Sequence, residues 1–338
     1  MNDALSSSPS PASAQWQPLP ALASSELATA DDPLMLYGER FSSRLLLGTA
    51  KYPSLASLSA SINAARPAMV TMALRRQMGG KTSGMLGASG TSGKAAGQQT
   101  ASSAHAANAA EQPGGLPVYD TLRPLGIPLL PNTAGCQSVE EAVNTAHMAR
   151  ELFETDWIKL ELIGDDYTLQ PDPIALIEAA ARLIRDGFKV LPYCTEDLVI
   201  GRRLLDVGCQ ALMPWGAPIG TGRGVANPYA LRLLRDRLPD TPLIVDAGLG
   251  VPSHACQVME WGFDGVLINT AVSCALDPIQ MAAAFANGVR AGRAAFMAGA
   301  MIPREAAVPS TPEIGRPFAS VALQLPTHQG TDVPHFVD

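Results

Sequence analysis

The sequence predicts a single α/β domain folded as a (β/α)8 TIM barrel. Eight apolar segments of strand length alternate with segments of helical periodicity, a rhythm typical of this fold. The alternating part spans residues 33–305, and its length of roughly 270 residues suits such a barrel. A doubly wound parallel sheet is the alternative fold. It usually carries a G-x-G-x-x-G motif after its first strand, whereas the corresponding segment here reads GTAKYP.

Apolar runs closed by turn residues predict the eight strands. Their ranges are 43–50, 69–74, 128–135, 157–164, 189–194, 211–216, 242–248 and 265–272. Apolar residues at helical spacing predict the helices, at 54–65, 138–153, 172–186, 197–207, from 227 onward, 253–261 and 277–297. We expect Ser138, Asn227 and Ser253 to be N-caps, because their side chains can accept hydrogen bonds from the first backbone N–H groups of a helix.

Three segments lie outside this pattern. Residues 1–32 are rich in Ser, Ala and Pro, and residues from about 79 to 115, after the second strand, form a Gly/Ser/Ala/Gln tract. Neither segment can bury enough apolar surface to offset the entropy lost on ordering, so we expect a disordered N-terminal extension and a low-complexity insertion. Residues 306–338 are predicted to form a C-terminal tail.

Composition and charge exclude several classes of protein. A net charge of −7, a pI near 5.3 and the lack of a basic cluster argue against nucleic-acid binding. No apolar run reaches membrane-spanning length, and the first 39 residues hold no lysine or arginine, so neither a membrane segment nor a signal peptide is expected. The five cysteines have no C-x-x-C spacing, which predicts neither disulfides nor zinc binding and indicates a cytoplasmic protein with reduced thiols.

Two charged residues interrupt the apolar segment WIKLELIG, which covers residues 157–164. Lys159 and Glu161 are two positions apart and therefore face the same side of a strand. Burying both charges would be costly unless they are paired or solvated, so we expect them near a strand end that opens on a cavity. A structural ion pair and a catalytic pair are both consistent with this pattern.

Glycine-rich segments follow the sixth and seventh predicted strands, and a polar pair lies near the end of the eighth. GAPIGTGRG covers residues 216–224, DAGLG covers 246–250, and Asn269 and Thr270 end the eighth strand. In many barrels these positions bind a phosphate, because glycines let backbone N–H groups approach the ligand closely. The three segments together predict a phosphate site, although Asp246 could also be an ordinary turn residue.

The remaining titratable residues narrow the chemistry. The five histidines have no metal-ligand spacing, which disfavours both a metal site and a histidine base. A desolvated lysine in a phosphate-binding barrel is suited to forming an imine with a carbonyl substrate while a carboxylate moves protons. A class I aldolase-like lyase acting on a sugar phosphate would use the same residues.

Several long segments resemble one family, the thiazole synthases of bacterial thiamine biosynthesis. They are LLPNTAG (129–135), WIKLELIGD (157–165), LPYCTEDLVIGRRLLDVGCQALMPWGAPIGTGRG (191–224), VDAGLGVPSHACQVMEWGFDGVLINTAV (245–272) and DPIQMAAAF (277–285). The likeness covers nearly all of residues 35–315, but the N-terminal extension and the insertion depart from the family pattern.

The resemblance implies a TIM barrel that joins 1-deoxy-D-xylulose 5-phosphate, dehydroglycine and sulfur into a thiazole phosphate, with no cofactor. Lys159 matches the lysine that forms an imine with the sugar, and Glu161 and Asp246 match the acid/base carboxylates. The positions that match the family's phosphate site are Gly220, Ala247, Gly248, Asn269 and Thr270.

The resemblance also implies partners. The sulfur would come from the C-terminal thiocarboxylate of a sulfur-carrier protein, a separate enzyme would supply dehydroglycine, and the synthase would be a homo-oligomer, expected to be a homotetramer. The opposing hypothesis is a degenerate barrel without activity. Retention of Lys159, Glu161 and Asp246 in their matching segments argues against that hypothesis.

Overall fold

The computed structural model describes residues 32–74 and 116–311. Its strands are β1 (Leu34–Leu36), β2 (Glu39–Phe41), β3 (Leu45–Gly48), β4 (Met69–Ala73), β5 (Leu129–Asn132), β6 (Trp157–Leu160), β7 (Ile163–Asp165), β8 (Gln170–Pro171), β9 (Lys189–Cys194), β10 (Met213–Pro214), β11 (Ile244–Asp246) and β12 (Gly265–Ile268). Its helices are α1 (Leu55–Ala65), α2 (Leu116–Leu122), α3 (Val139–Phe153), α4 (Pro173–Arg185), α5 (Leu198–Asp206), α6 (Pro228–Arg237), α7 (Pro252–Glu260), α8 (Thr270–Ser273) and α9 (Pro278–Ala298). A short 3₁₀ helix, Arg123–Leu125, follows α2.

Eight of these strands form one parallel sheet. Its order is β10-β9-β6-β5-β4-β3-β12-β11. Two parallel bridges, between Leu212 and Leu243 and between Trp215 and Asp246, join the two outer strands. The sheet is thereby closed, and the predicted (β/α)8 barrel is confirmed. Its strand termini place the carboxyl ends of all eight strands at one mouth, where barrel enzymes bind substrates.

The hydrophobic core has two parts. One lies between the sheet and the helices, where buried residues of α1 and α9 pack on the outer face of the strands. The other fills the barrel interior, where Leu46, Met69, Leu130, Leu191 and Ile244 meet. These described side chains fill the barrel interior, and a cavity opens at the mouth formed by the carboxyl ends of the strands.

A hairpin that the sequence analysis missed closes the amino-terminal end of the barrel. β1 pairs with β2 in an antiparallel ladder. Tyr37 and Phe41 both contact the ring of Trp157 edge-on, and the hydroxyl of Tyr37 donates to the carbonyl of Val190 at 2.7 Å. Strands of three residues are too short to show the alternation by which a strand is recognised in sequence.

The predicted strand 157–164 is two elements. β6 ends at Leu160, and Ile163–Asp165 pairs instead with Gln170–Pro171 as a small antiparallel hairpin. The carboxylate of Asp165 accepts hydrogen bonds from the backbone N–H and the hydroxyl of Thr168, which fixes the turn of that hairpin. The two elements read as one apolar run in the sequence because both bury their apolar side chains.

The predicted helices are present, with one wrong cap. Ser138 and Asn227 cap α3 and α6 through their side chains, as expected. The N-cap of α7 is Val251 rather than Ser253, which lies inside that helix. Pro252 explains the difference, because a proline favours the first helical position and moves the cap to the residue before it.

Other predicted features lie outside the described residues. These are the extension at 1–32 except for residue 32, the insertion at 79–115 and the tail beyond 311, so the predicted domain boundaries stay predictions. Residues 300–311 are the described part of a separate unit, which has no helix or strand there. Among the described helices, none combines the length and apolar character needed to cross a bilayer.

Candidate active site

A cavity of about 1170 Å³ opens at the mouth of the barrel, at the carboxyl ends of the strands. Lys159, Glu161 and Asp246, the three predicted catalytic residues, all line it. The five predicted phosphate-binding residues line the same cavity: Gly220, Ala247, Gly248, Asn269 and Thr270. The fold therefore brings together residues from four different strand ends that the sequence places far apart.

Lys159 lies between two carboxylates. Its Nζ is 3.0 Å from Oε1 of Glu161 and 2.5 Å from Oδ2 of Asp246. The three residues are only 5%, 6% and 3% exposed. Asp246 belongs to β11, so the predicted pair is in fact a buried triad of one cation and two anions.

The backbone explains why both charges of the 157–164 segment point inward. Trp157 and Lys159 alternate with Ile158 and Leu160 on β6, which puts Trp157 and Lys159 on the interior face. Glu161 follows the end of β6, and Thr133 holds it there. The Thr133 hydroxyl accepts from the N–H of Glu161 at 2.8 Å and donates to its carbonyl at 2.7 Å.

The triad shifts the pKa values of its members. Burial by itself lowers the pKa of Lys159, but the attraction of Asp246 and of Glu161 outweighs burial, so the pKa lies above its ordinary value. Burial raises the pKa of Asp246, and the nearby charge of Glu161 raises it further, against the opposing effect of Lys159. In the free enzyme Lys159 is therefore an ammonium ion, and Asp246 is protonated more readily than an ordinary aspartate.

Tyr193 completes the surroundings of Lys159, and the sequence analysis missed it. Its ring centroid is 5.7 Å from Nζ of Lys159, and its hydroxyl is buried without a hydrogen-bond partner among the described residues. Burial first, then the charges of Asp246 and Glu161, raise the pKa of this phenol, so it stays neutral. Strand alternation from Leu191, which also faces the interior, would have indicated its position.

Two glycine-rich loops pack against each other beside the triad; we call residues 216–224 and 246–250 the double loop. The N–H of Gly216 donates to the carbonyl of Ala247 at 3.2 Å, and the N–H of Gly224 donates to that of Gly248 at 2.8 Å. A Cβ on Gly248, whose φ is +79°, would lie 2.4 Å from the backbone nitrogen of Ala217. Only glycine therefore fits at this contact.

Asn269 forms the neighbouring wall of the cavity. Its side chain lies directly against Gly48 at the end of β3. Its Oδ1 is buried and accepts no hydrogen bond from a described residue. A buried polar atom of this kind in a cavity wall is available to a ligand.

Two further titratable residues, Lys51 and His147, lie away from this site. Lys51, the lysine next to the first strand end, is exposed and does not line the cavity. His147 pairs with Asp186 on the outside of the barrel, at 3.0 Å. The described residues contain no group of His, Cys, Asp or Glu side chains placed to hold a metal ion.

The fold and the site define a (β/α)8-barrel enzyme with a buried lysine–carboxylate centre at its mouth. Comparison with known protein families identifies the family to which this barrel enzyme belongs. The chain belongs to the family of thiazole biosynthesis protein ThiG, whose sequence profile matches residues 35–112 and 85–312. The resemblance to thiazole synthases is thereby confirmed, and the chain is an enzyme of that family.

Individual relatives support the assignment. The thiazole synthase of Burkholderia lata is 67% identical over 290 residues, which are 86% of this chain and 96% of that protein. The thiazole synthase of Cupriavidus pinatubonensis is 62% identical over 290 residues, covering 86% of this chain and 94% of that protein.

Solved structures agree with the fold. A chain from the Amycolatopsis orientalis BexX/CysO complex superposes with a TM-score of 0.66 at 28% identity, covering 82% of this chain and all of that one. Mandelate oxidase superposes with a TM-score of 0.50 at 11% identity, covering 78% of each chain, and shows likeness of fold alone.

Proposed function

We propose that the protein is a thiazole synthase that condenses 1-deoxy-D-xylulose 5-phosphate, dehydroglycine and carrier-bound sulfur through an imine on Lys159. One observation carries this proposal. Among the residues that the structure describes, Lys159 is the only lysine in the cavity wall, and it is buried between two carboxylates in the same cavity as the glycine-rich double loop. An amine, two proton acceptors and an anion-binding surface are the groups that imine chemistry on a sugar phosphate requires.

The first step is deprotonation of Lys159, because only the free amine is a nucleophile. Asp246 at 2.5 Å and Glu161 at 3.0 Å are the available acceptors. The raised pKa of Asp246 makes it a stronger base than an ordinary aspartate. Addition of the amine to the sugar ketone gives a carbinolamine. The carboxylate then returns the proton it took from Lys159 to the carbinolamine hydroxyl, which leaves as water, and the protonated imine remains.

The second step moves a proton within the imine. An imine acidifies the adjacent C–H group, so a carboxylate can remove that proton and return it elsewhere, which shifts the carbonyl along the sugar. Glu161 suits this role because Thr133 fixes its backbone and its carboxylate lies 3.0 Å from Nζ of Lys159, where the imine would form. The new carbonyl is the position at which sulfur from the carrier would enter.

The double loop and Asn269 would bind the substrate's phosphate. Gly220, Ala247 and Gly248 have φ angles of +78°, +69° and +79°, and all three residues line the cavity. Consecutive N–H groups in such turns form concave anion sites. Binding the phosphate here anchors one end of the sugar and presents its ketone to Lys159 in the same cavity.

A sulfur-carrier protein is the proposed partner. Support comes from the Amycolatopsis orientalis relative, whose structure is that of a complex between BexX and CysO. A flexible C-terminal tail could enter the barrel mouth without moving a folded domain. Two further properties remain predictions: a separate enzyme supplies dehydroglycine, and the synthase assembles as a homotetramer. Light scattering would measure the oligomeric state.

Borohydride trapping tests the proposal. The protein is incubated with the sugar phosphate and sodium borohydride, and mass spectrometry of peptides locates the adduct. We expect it on Lys159 in wild type and in the control Lys51→Ala, and none in Lys159→Ala. An adduct that persists in Lys159→Ala and disappears in Lys51→Ala would overturn the assignment.

A further inference from the structure

His254 contacts both parts of the double loop. Its Nδ1 accepts a hydrogen bond of 3.1 Å from the N–H of Gly250. On the other side, a Cβ built on Gly224 would lie only 3.0 Å from Cε1 and from Nε2 of the imidazole. The ring thus stands behind the cavity wall and touches one glycine of each loop.

The two loops meet backbone to backbone in front of this ring. A Cβ on Gly250 would lie 2.2 Å from the carbonyl oxygen of Gly222, and both residues line the cavity. A contact this close has no side chain to maintain its spacing. Two backbone hydrogen bonds, from Gly216 to Ala247 and from Gly224 to Gly248, join the loops, and His254 is a side chain that contacts both loops from behind.

The hydrogen bond fixes the chemical form of the imidazole. A nitrogen that accepts from a backbone N–H carries no proton, so His254 is neutral and bears its proton on Nε2. This form contributes no charge to the cavity. Its effect on a bound phosphate must therefore act through the position of the backbone rather than through direct attraction.

We propose that His254 is a positioning residue that sets the double loop for the substrate's phosphate and so determines preference for the phosphorylated sugar. This inference rests on the proposed function. The sequence analysis left His254 without a role, since it lies on a predicted helix and matches no metal motif. Its position becomes informative only when Gly224 and Gly250 are seen on either side of it.

Helix capping is the competing explanation. α7 has no side-chain cap at Val251, and His254 is the third residue of the helix, from which a side chain can reach back to the N–H groups before it. Capping alone would affect stability. It would not distinguish a phosphorylated sugar from an unphosphorylated one.

The experiment compares three variants in the borohydride-trapping assay. His254→Ala removes the acceptor, His254→Gln restores an acceptor that can reach the Gly250 N–H, and His147→Ala is the matched histidine control outside the barrel. Each protein is titrated with 1-deoxy-D-xylulose 5-phosphate and with 1-deoxy-D-xylulose. For His254→Ala we expect the half-saturating concentration of the phosphorylated sugar to rise about tenfold, the equivalent of one hydrogen bond. The unphosphorylated sugar should react as with wild type.

His254→Gln should restore most of the affinity for the phosphorylated sugar, and His147→Ala should match wild type. An equal effect of His254→Ala on both sugars, or lower thermal stability without any change in affinity, would overturn the proposal. Calorimetric titration with inorganic phosphate separates this inference from the proposed function. If wild type forms no imine with either sugar, weaker phosphate binding by His254→Ala still supports the role of His254, and unchanged binding refutes it.

Discussion

One hydroxyl, that of Thr133, makes two hydrogen bonds to the backbone of Glu161. It accepts from the N–H at 2.8 Å and donates to the carbonyl at 2.7 Å. Glu161 lies beyond the last residue of β6, where the sheet no longer fixes it. The Thr133 hydroxyl thus fixes the backbone of the first residue after β6, and this residue carries the Glu161 carboxylate that contacts Lys159.

Thr133→Val should therefore impair catalysis more than its small change in volume suggests. The valine leaves two buried backbone groups of Glu161 without partners, at a cost of about 2 kcal/mol in unfolding free energy. We expect kcat to fall while KM for the sugar phosphate changes little, because Glu161 moves and the double loop does not. Steady-state kinetics and urea denaturation measure both effects.

Thr145→Val is the control for that experiment. Thr145 is buried on α3, and its hydroxyl contacts the thiol of Cys136 at 3.5 Å, away from the cavity. The Thr145→Val enzyme should have a lower unfolding free energy than wild type but the same kcat. A Thr133→Val enzyme with wild-type kcat would mean that Glu161 does not depend on this clamp.

The charge balance around Lys159 predicts a large effect of removing the cation. Lys159→Met leaves two buried carboxylates without their partner, a loss of about 3 to 5 kcal/mol in unfolding free energy. Adding Asp246→Asn to Lys159→Met should recover part of this loss, since one anion is removed. A single variant as stable as wild type would contradict the buried triad.

The pH dependence of that loss has a definite sign. The pKa of Lys159 is raised in the folded state, so its contribution to stability is full below 10.5, the ordinary lysine value, and declines as pH rises through the higher folded value. The difference in unfolding free energy between wild type and Lys159→Met should therefore persist at mildly alkaline pH and shrink only above 10.5. Denaturation at several pH values provides the measurement.

For Tyr193, unlike Lys159, we predict a substitution that does not lower the unfolding free energy. Its hydroxyl is buried and unpartnered among the described residues, so Tyr193→Phe removes an unsatisfied polar group and keeps the ring near Lys159. We expect this variant to be as stable as wild type or more stable by up to about 1 kcal/mol. Tyr193→Leu should be destabilised by about 2 to 4 kcal/mol, because it leaves a cavity. Marked destabilisation by Tyr193→Phe would reveal a buried water bound to the hydroxyl.

Sequence patterns predicted the two charged residues that are neighbours along one segment, Lys159 and Glu161. They did not predict that closure of the barrel brings Asp246 to the same place. Alternation along one strand was enough to place Lys159 and Glu161 on a common face. The contact between Lys159 and Asp246 depends on the bridge between β10 and β11, and no periodicity encodes that bridge. The catalytic role of Asp246 was therefore predicted from the family resemblance, because no sequence pattern indicated it.

The short elements were lost for a related reason. The hairpin β1–β2 and the split between β6 and β7 are defined by packing against Trp157 and by the turn at Asp165. These contacts involve too few residues to produce a periodic signal. The N-cap of α7 was also predicted wrongly. Pro252 occupies the first helical position, so the N-cap is Val251 and not Ser253.

Gly48→Ala is the most direct test of the wall formed by Asn269. The added Cβ would lie 2.5 Å from Cβ and Cγ of Asn269, which are too close to the backbone to swing away. The backbone at Gly48 is an ordinary strand, so alanine adds no dihedral strain and the whole effect is steric. We expect Asn269 to be displaced and KM for the sugar phosphate to rise about tenfold or more. Gly201→Ala, on α5, is the control, because its Cβ would meet only the flexible side-chain ends of Leu212, Leu234 and Leu238, away from the cavity. Equal sugar-phosphate affinities for the two variants would show that Asn269 takes no part in binding the substrate.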